Sequence, residues 1–531
     1  MNLLHVKDLS LSIGGIQILQ DVSIDMLSGE IVAITGESGS GKSLTALAVM
    51  GLLPRGSVTK GSIWLEEKDI LTTSEHDLCS MRGRAMGMVF QEPMTALNPV
   101  KTIGDQVAET IIIHERATKF DANKRAADML QRVGLTVEPS RYPHELSGGQ
   151  RQRVVIAMAI ALRPKLLIAD EPTTALDVTT QARILELLKD LVADFDMGLL
   201  IITHDLAVVA EIADKIIVMQ KGCIVEAEDT HELLYNMRHP YTKALFNAST
   251  HRVNLPEYIP SLPLLSVESV ARTYNLPRTS VFGSRPKLQA LDGISFHISH
   301  GERVGLVGES GCGKSTLTRA ILGLEEVQKG QITLDGQPVF VQKNLNMEVR
   351  RKMQVVFQDP YGSFNPRHRV DRLIAEPLHV LENAPVGKER GLAVSKALED
   401  VGLSATDANK YIHEFSGGQR QRIAIARALI IEPELIIFDE AVSALDVSIR
   451  AQVLDLIADL CQKRPLAYLF ISHDLSVVRT VTDRVIVMQF GKIVEQGQTE
   501  QVFSNPQHAY TQSLIAAAPK LPEVTYAIET V

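Results

Sequence analysis

A glycine-rich run of the form GxxxxGK[ST] occurs twice in the chain, as GESGSGKS at 36–43 and as GESGCGKS at 308–315. Glycines let a backbone wrap closely around an anion, so that several N–H groups point inward. A helix that follows presents its positive N-terminal end to the same anion. Lys42 and Lys314 would then reach the β- and γ-phosphates of a nucleotide, while the Ser43 and Ser315 hydroxyls ligate Mg²⁺. The expected phosphate cradles are Gly36, Glu37, Ser38, Gly39, Ser40, Gly41, Lys42 and Ser43, and Gly308, Glu309, Ser310, Gly311, Cys312, Gly313, Lys314, Ser315 and Thr316. A ligand-free glycine turn is the plainer alternative. Against it, each copy follows an apolar run and opens a helical pattern.

Two acidic pairs supply the second half of such a site. LLIADE at 166–171 and LIIFDE at 435–440 end apolar runs on Asp170–Glu171 and Asp439–Glu440. A carboxylate at the C-terminal end of a buried strand faces the crevice that holds the phosphate loop. Asp170 and Asp439 are expected to hold Mg²⁺ through water, and Glu171 and Glu440 to polarise the attacking water. An acidic pair alone is commonly a solvated turn, but each of these precedes a second short motif, TALD or SALD. His204 and His473 each follow an apolar strand 33 residues after the glutamate. A lone histidine is more often structural. This pair recurs in register, which favours a contact to the γ-phosphate and the attacking water. Gln91 in VFQEP and Gln358 in VFQDP recur too, and an amide there can ligate Mg²⁺ or simply end a strand.

The elements that must position these residues come in two copies. Ser147 and Ser416, Asp170 and Asp439, and His204 and His473 are each 269 residues apart. Several motifs in one order mark a duplication. Within each half, IVAIT at 31–35, LLIAD and GLLIIT read as buried strands, and ANKRAADMLQRVGL as a helix. Alternating strands and helices imply an α/β fold with a parallel sheet covered on both faces. Residues 100–160 and 370–430 read as mainly helical. NLPEYIPSLP carries Pro256, Pro260 and Pro263 and reads as a semi-rigid connector. The expected division is 1–250, a linker at 251–262, and 263–531.

Composition narrows the class further. The 531 residues are 45% hydrophobic and 22% charged, an ordinary globular balance that excludes disordered or collagenous chains. The net charge of −9 argues against a mainly nucleic-acid-binding surface. No apolar run reaches the roughly 18 residues of a membrane-spanning helix. The start, MNLLHVKDLS, has neither a secretory pattern nor a Gly at position 2 for myristoylation. Cys79, Cys223, Cys312 and Cys461 are scattered, which argues against a disulfide framework or a structural metal site. A reducing, cytosolic setting is expected.

LSGGQ at 146–150 and FSGGQ at 415–419, together with the phosphate loops, resemble the ATP-binding cassette family over essentially the whole chain. The resemblance implies two tandem P-loop cassettes. Each would have a RecA-like parallel-sheet core, a helical signature subdomain and an antiparallel β subdomain. It also implies head-to-tail pairing, so that the signature loop of one cassette completes the ATP site of the other. Site one would join Lys42, Ser43, Gln91, Asp170, Glu171 and His204 with Ser416, Gly417, Gly418 and Gln419. Site two would join Lys314, Ser315, Gln358, Asp439, Glu440 and His473 with Ser147, Gly148, Gly149 and Gln150. Physically, SGG before a helix is another N-terminal anion site. The substrate and cofactor implied are ATP and Mg²⁺.

QEPMTALNP at 91–99, QDPYGSFNP at 358–366, HPYTKAL at 239–245 and QHAYTQSL at 507–514 resemble the oligopeptide/dipeptide/nickel importers. An insertion, NLPRTSVFGSRPKLQALDGIS, resembles that subfamily's second ATPase. The fused form is similar to the microcin C/oligopeptide and glutathione importer ATPases. The resemblance implies two transmembrane permeases as partners, a periplasmic solute-binding protein acting indirectly, no nucleic acid and no need for a homodimer. It places the chain peripherally on the cytoplasmic face of the bacterial inner membrane. The alternatives are glutathione or nickel/metal-chelate import and, more remotely, a soluble tandem-cassette translation factor. The Pro-rich connector and the acidic balance speak against the last. A DNA-repair cassette would carry inserted zinc cysteines, and an exporter its own membrane domain.

Three positions depart from the family pattern. An aromatic residue usually stacks on the adenine; alignment puts Tyr274 there in the second half but Ile13 in the first. Weaker ATP binding at site one and equivalent packing by Ile13 both stay open. Ala441 replaces the counterpart of Pro172, which would loosen a turn while keeping Glu440. Cys312 stands where the first loop has Ser40. A thiol beside Lys314 and a helix N-terminus could have a lowered pKa and react with alkylating agents, although a tolerated small residue is the plainer reading.

Overall fold

Apolar runs of five residues fold as fully covered strands. Ile31–Thr35, Leu166–Asp170 and Gly198–Ile202 are buried at every position and pair in parallel. A parallel sheet is covered on both faces, so its strands read as continuous apolar runs. The computed structural model describes residues 2–174, 176–276, 285–341, 344–359 and 361–522. Residues 277–284 of the expected insertion, Ala175 of TALD and Pro360 of QDPYGSFNP lie outside the described residues.

The first six-stranded sheet runs Cys223–Asp229, Lys215–Gln220, Ile31–Thr35, Gly198–Ile202, Leu166–Asp170, Met86–Val89. Only the Cys223–Asp229 strand is antiparallel to its neighbour. A four-stranded antiparallel sheet of Ile16–Leu27, Asn2–Ile13, Ser57–Leu65 and Lys68–Asp69 lies beside it. The second half repeats both sheets. Its larger sheet runs Met353–Val356, Leu435–Asp439, Ala467–Ile471, Arg303–Val307, Arg484–Gln489, Lys492–Gln498. Its smaller one runs Lys287–Ser299, Pro263–Asn275, Lys329–Leu334, Gln337–Pro338.

Side chains alternate across the sheet. Ile31 and Ala33 face the core shared with the helices, whereas Val32 and Ile34 face the core under the antiparallel sheet. The helical segment of each half is as expected. Ile103–Glu115, Lys119–Arg132 and Gly148–Ile160 form in the first half, and Val370–Ala375, Gly387–Asp400 and Gly417–Leu429 in the second. The helix expected from residue 122 starts at Lys119 instead, because the Thr118 hydroxyl caps it by accepting from the Asp121 N–H.

The halves interlock through reciprocal residues. Val447 of the second half packs in the helical core of the first, and Val178 of the first in that of the second. The Pro240–Ser249 helix lies on Val447–Lys463, and Ala509–Ala516 lies on Val178–Phe195. Residues 251–262 form neither helix nor strand. They are tied to the second half, with Arg303 Nη2 donating to the Pro256 carbonyl at 2.6 Å and Ser261 Oγ to the His300 carbonyl at 2.8 Å. Among the described residues no helix is long and apolar enough to cross a membrane.

Candidate active site

Each glycine-rich loop leaves the end of a buried strand and enters an eight-residue helix, Lys42–Val49 or Lys314–Ile321. The residue before each helix must be glycine. Gly41 and Gly313 have φ of 102° and 110°, and a Cβ there would come within 2.5 Å of Leu19 and 2.4 Å of the Ala290 carbonyl. The loop therefore closes tightly and leads its backbone into the helix start. Lys42 Nζ donates to the Gly36 and Glu37 carbonyls, both at 2.8 Å, and Lys314 Nζ to the Gly308 and Glu309 carbonyls at 2.6 and 3.0 Å. Both ammonium groups are buried. Burial lowers the Lys42 pKa, against the pull of Glu171, Asp170 and Asp446. Among the described residues the buried Ser40 hydroxyl has no hydrogen-bond partner, an unspent polar group in the phosphate loop.

The acidic pairs stand at the ends of Leu166–Asp170 and Leu435–Asp439, as expected. Ser43 Oγ donates to Asp170 Oδ1 at 3.2 Å, which brings loop and carboxylate together. Burial pushes the Asp170 carboxyl up, and burial with the neighbouring Glu440 charge does the same to Asp439. Glu171 and Glu440 go the other way. Burial works to raise them, but the bond and charge of His204 or His473 carry each below the ordinary carboxylate range. Both glutamates sit in the left-handed backbone region, with φ of 48° and 52°. For a non-glycine residue that is a strained conformation, held by the surrounding structure. The same turn closes both. Glu171 N–H reaches the Ile202 carbonyl at 2.8 Å and Glu440 N–H the Ile471 carbonyl at 2.9 Å. Replacing proline by Ala441 therefore leaves the turn intact, contrary to the loosening expected.

The two sites differ around the glutamate. Glu171 accepts from Gln91 Nε2 at 2.8 Å and Thr174 Oγ1 at 2.9 Å and pairs with His204 Nδ1 at 3.2 Å. Glu440 pairs with His473 Nδ1 at 3.7 Å, while Gln358 Nε2 reaches the Ser443 hydroxyl at 3.5 Å. The glutamine, glutamate and histidine predicted from the sequence thus converge fully in the first half. In the second they converge without the glutamine.

The signature serines cap their helices. Ser147 Oγ accepts from the Gln150 N–H, and Gln150 Oε1 accepts from the Ser147 N–H; Ser416 and Gln419 repeat this box. The second signature glycine allows a close approach to the helix after TALD. A Cβ on Gly149 would lie 2.2 Å from Thr180, and one on Gly418 2.3 Å from Ile449. The neighbouring Thr179 crosses to the other half, its hydroxyl donating to Glu309 Oε1 at 2.6 Å. Asp177 Oδ2 accepts from the Ser310 N–H at 3.2 Å. Through Gly149, Thr180, Thr179 and Glu309, the signature of the first half is linked to the phosphate loop of the second. Between the halves lies a cavity of about 530 Å³ lined by Thr174, His204, Ser443, Arg450 and His473, among others.

Residues 19–174 and 291–443 match the ABC transporter family, and residues 225–260 and 494–530 the C-terminal region of oligopeptide/dipeptide transporters. The chain is 47% identical over 527 residues to the peptidoglycan transport ATP-binding protein YejF of Agrobacterium fabrum, covering 97% of this chain and 96% of that one. It is 44% identical over 559 residues to the glutathione import ATP-binding protein GsiA of Escherichia coli K12, covering 98% and 90%. The chain belongs to the ABC transporter family. It is an ATP-binding ATPase with two fused cassettes.

In the second half, Tyr274 lies under the Arg272 guanidinium, 5.1 Å from the ring centre, and its hydroxyl bonds Glu325. Cys312 is buried, and burial pushes its thiol up despite Lys314 4.0 Å away. Desolvation outweighs the cation, so the reactive-thiol reading is corrected and the small-residue reading stands. The contacts of Asp177 and Thr179 were missed in the sequence. Their signal is the TALD run itself, whose aspartate precedes a helix by one residue.

Proposed function

We propose that this ATPase energises a bacterial importer of peptides or related small solutes through two transmembrane permeases. The observation that carries the proposal is the pairing of two phosphate-and-carboxylate sites with an oligopeptide/dipeptide transporter tail on each half. Glu171 and Glu440 act as general bases on the attacking water, and His204 and His473 hold those carboxylates and contact the γ-phosphate. Ser147 to Gln150 and Ser416 to Gln419 each close over the ATP of the opposite cassette. The Thr179–Glu309 bond supports that pairing at the second phosphate loop. ATP would then favour the closed pair by binding it better than the open one.

The hydroxyl of Ser43 beside the Asp170 carboxylate is a hard-oxygen pair that fits Mg²⁺, and Gln91 is placed at Glu171 on the same side. Ser43, Gln91 and Asp170, with Ser315, Gln358 and Asp439, would hold the ion, which neutralises charge on the β- and γ-phosphate oxygens. Tyr274 and Ile13 are assigned to the adenine. Residues 251–262 act as the linker between cassettes 1–250 and 263–531, so no homodimer is needed. The chain works at the cytoplasmic face of the inner membrane, with a periplasmic binding protein delivering the solute.

Glutathione import is a second reading, favoured by the identity to the glutathione import protein. Recovery of the tagged chain from detergent-solubilised membranes, with mass spectrometry of what accompanies it, tests both. Two hydrophobic permeases are the expected partners, and competition between labelled peptide and glutathione for uptake then separates the solutes. Recovery of ribosomal proteins would overturn the transport assignment and leave the ATPase chemistry standing.

A further inference from the structure

The HPYT and QHAYT segments take no part in the chemistry above, yet both halves build them alike. In the first half Glu226 accepts from the Arg238 and His239 N–H groups at 2.7 and 3.2 Å, and His239 Nδ1 caps the tail helix by accepting from the Tyr241 N–H at 3.2 Å. In the second, Glu495 accepts from Gln507 and His508 at 2.8 and 3.0 Å, and His508 Nδ1 from the Tyr510 N–H at 3.1 Å. The outcome is the same each time. The Glu37 N–H donates to Tyr241 Oη at 3.0 Å, and the Glu309 N–H donates to Tyr510 Oη at 2.9 Å. These amides belong to the second residue of each phosphate loop, some 200 residues earlier in the chain.

We propose that Tyr241 and Tyr510 are positioning residues for ATP: each phenolic oxygen holds the leading amide of its own phosphate loop, making the C-terminal tail part of the nucleotide site. The inference rests on the ATPase reading and extends it to the tail. Three observations support it. First, the contact is present twice although its surroundings differ, with Pro240 against Ala509 and Ser40 against Cys312. A chance contact has no reason to survive those differences. Second, burial pushes both phenols up, so each stays neutral. Third, in the second loop the next amide, Ser310 N–H, is held by Asp177 of the opposite cassette at 3.2 Å. Tail and opposite cassette therefore grip consecutive amides. The phenol thus fixes the start of each loop, and in the second loop the Asp177 contact fixes the residue after it.

The test uses the full chain with Tyr241→Phe, Tyr510→Phe and the double substitution. Phenylalanine keeps the ring and removes the acceptor. Losing one hydrogen bond at each loop should raise the KM for ATP roughly three- to tenfold in the double variant, with kcat within about twofold of the parent. A purely structural role would instead lower apparent kcat with the melting temperature and leave KM alone, and that result overturns the proposal. So does an unchanged KM. Equilibrium binding of a fluorescent ATP analogue decides the inference independently of turnover: weaker binding by the double variant supports it, and equal binding refutes it. A parent chain that binds the analogue but never hydrolyses ATP would count against the ATPase reading alone.

Discussion

Asp177 accepts hydrogen bonds from its own helix start, from the Thr179 hydroxyl and from the other cassette, whereas among the described residues its repeat counterpart Asp446 accepts only from its own helix start. Asp177 Oδ1 caps the helix Val178–Phe195 by accepting from the Thr180 N–H at 3.0 Å, and Oδ2 accepts from Ser310 N–H of the other cassette. Asp446 Oδ1 caps Val447–Lys463 through the Ile449 N–H at 3.1 Å. Among the described residues it makes no bond to Ser38. Replacing either aspartate by alanine removes a cap worth about 0.5–2 kcal/mol. Asp177→Ala also strips a carboxylate from a half-covered amide. Bonds to charged groups contribute about 1.5–3 kcal/mol, and the 3.2 Å length puts this one at the low end. The excess for Asp177→Ala over Asp446→Ala should thus be about 1.4 kcal/mol, a tenfold change in the local opening equilibrium. Hydrogen exchange reads it directly. The peptide covering 309–315 should exchange roughly tenfold faster in Asp177→Ala, with no matching change at 37–43 in Asp446→Ala. Equal protection of the two peptides in the two variants would refute the cross-cassette bond and the composite-site argument built on it.

Three further outcomes are expected. Glu171→Gln with Glu440→Gln should lower phosphate release by roughly two to four orders of magnitude while ATP stays bound; turnover at the parent rate would remove both glutamates from the base role. Glu171 sits below its ordinary carboxyl range, so the stability it contributes is fully present above the unfolded pKa and lost as pH falls through the folded one. The melting temperature of Glu171→Gln should therefore fall less steeply than the parent's on acidification below about pH 4.3, and parallel curves would show that the carboxylate gains nothing in the fold. In brief labelling with iodoacetamide, exposed Cys79 should react ahead of buried Cys312 and of Cys461, whose thiol is pushed up to about 11. Mass spectrometry finding Cys312 modified as fast as Cys79 would contradict its burial.

Much of the site was legible in the residues. Strands such as Ile31–Thr35 and Leu166–Asp170 announce themselves because a parallel sheet covered on both faces demands unbroken apolar runs. Gly41 and Lys42 announce the phosphate loop because only glycine adopts that φ at the mouth of a helix. Caps were partly legible: Ser147 with Gln150 is a readable box, whereas Thr118 moved a helix start by three residues. The pKa of Cys312 was not legible, since a nearby lysine and burial act in opposite directions and only packing fixes their balance.

The sequence alone, by its repeated motifs and their family resemblance, pointed to two copies of one ATP-hydrolysing unit. Such motifs are read over a few neighbouring residues, as are the strands and caps around them. Only the tertiary structure decided which particular side chains reach each loop. Thr179 and Glu309 are 130 residues apart, and Tyr241 and Glu37 are 204 apart. Their contacts arise from how whole faces pack, so no local pattern contains them. The same packing makes the first site's Gln91 reach Glu171 while Gln358 turns to Ser443, a difference between near-identical motifs that their surroundings impose.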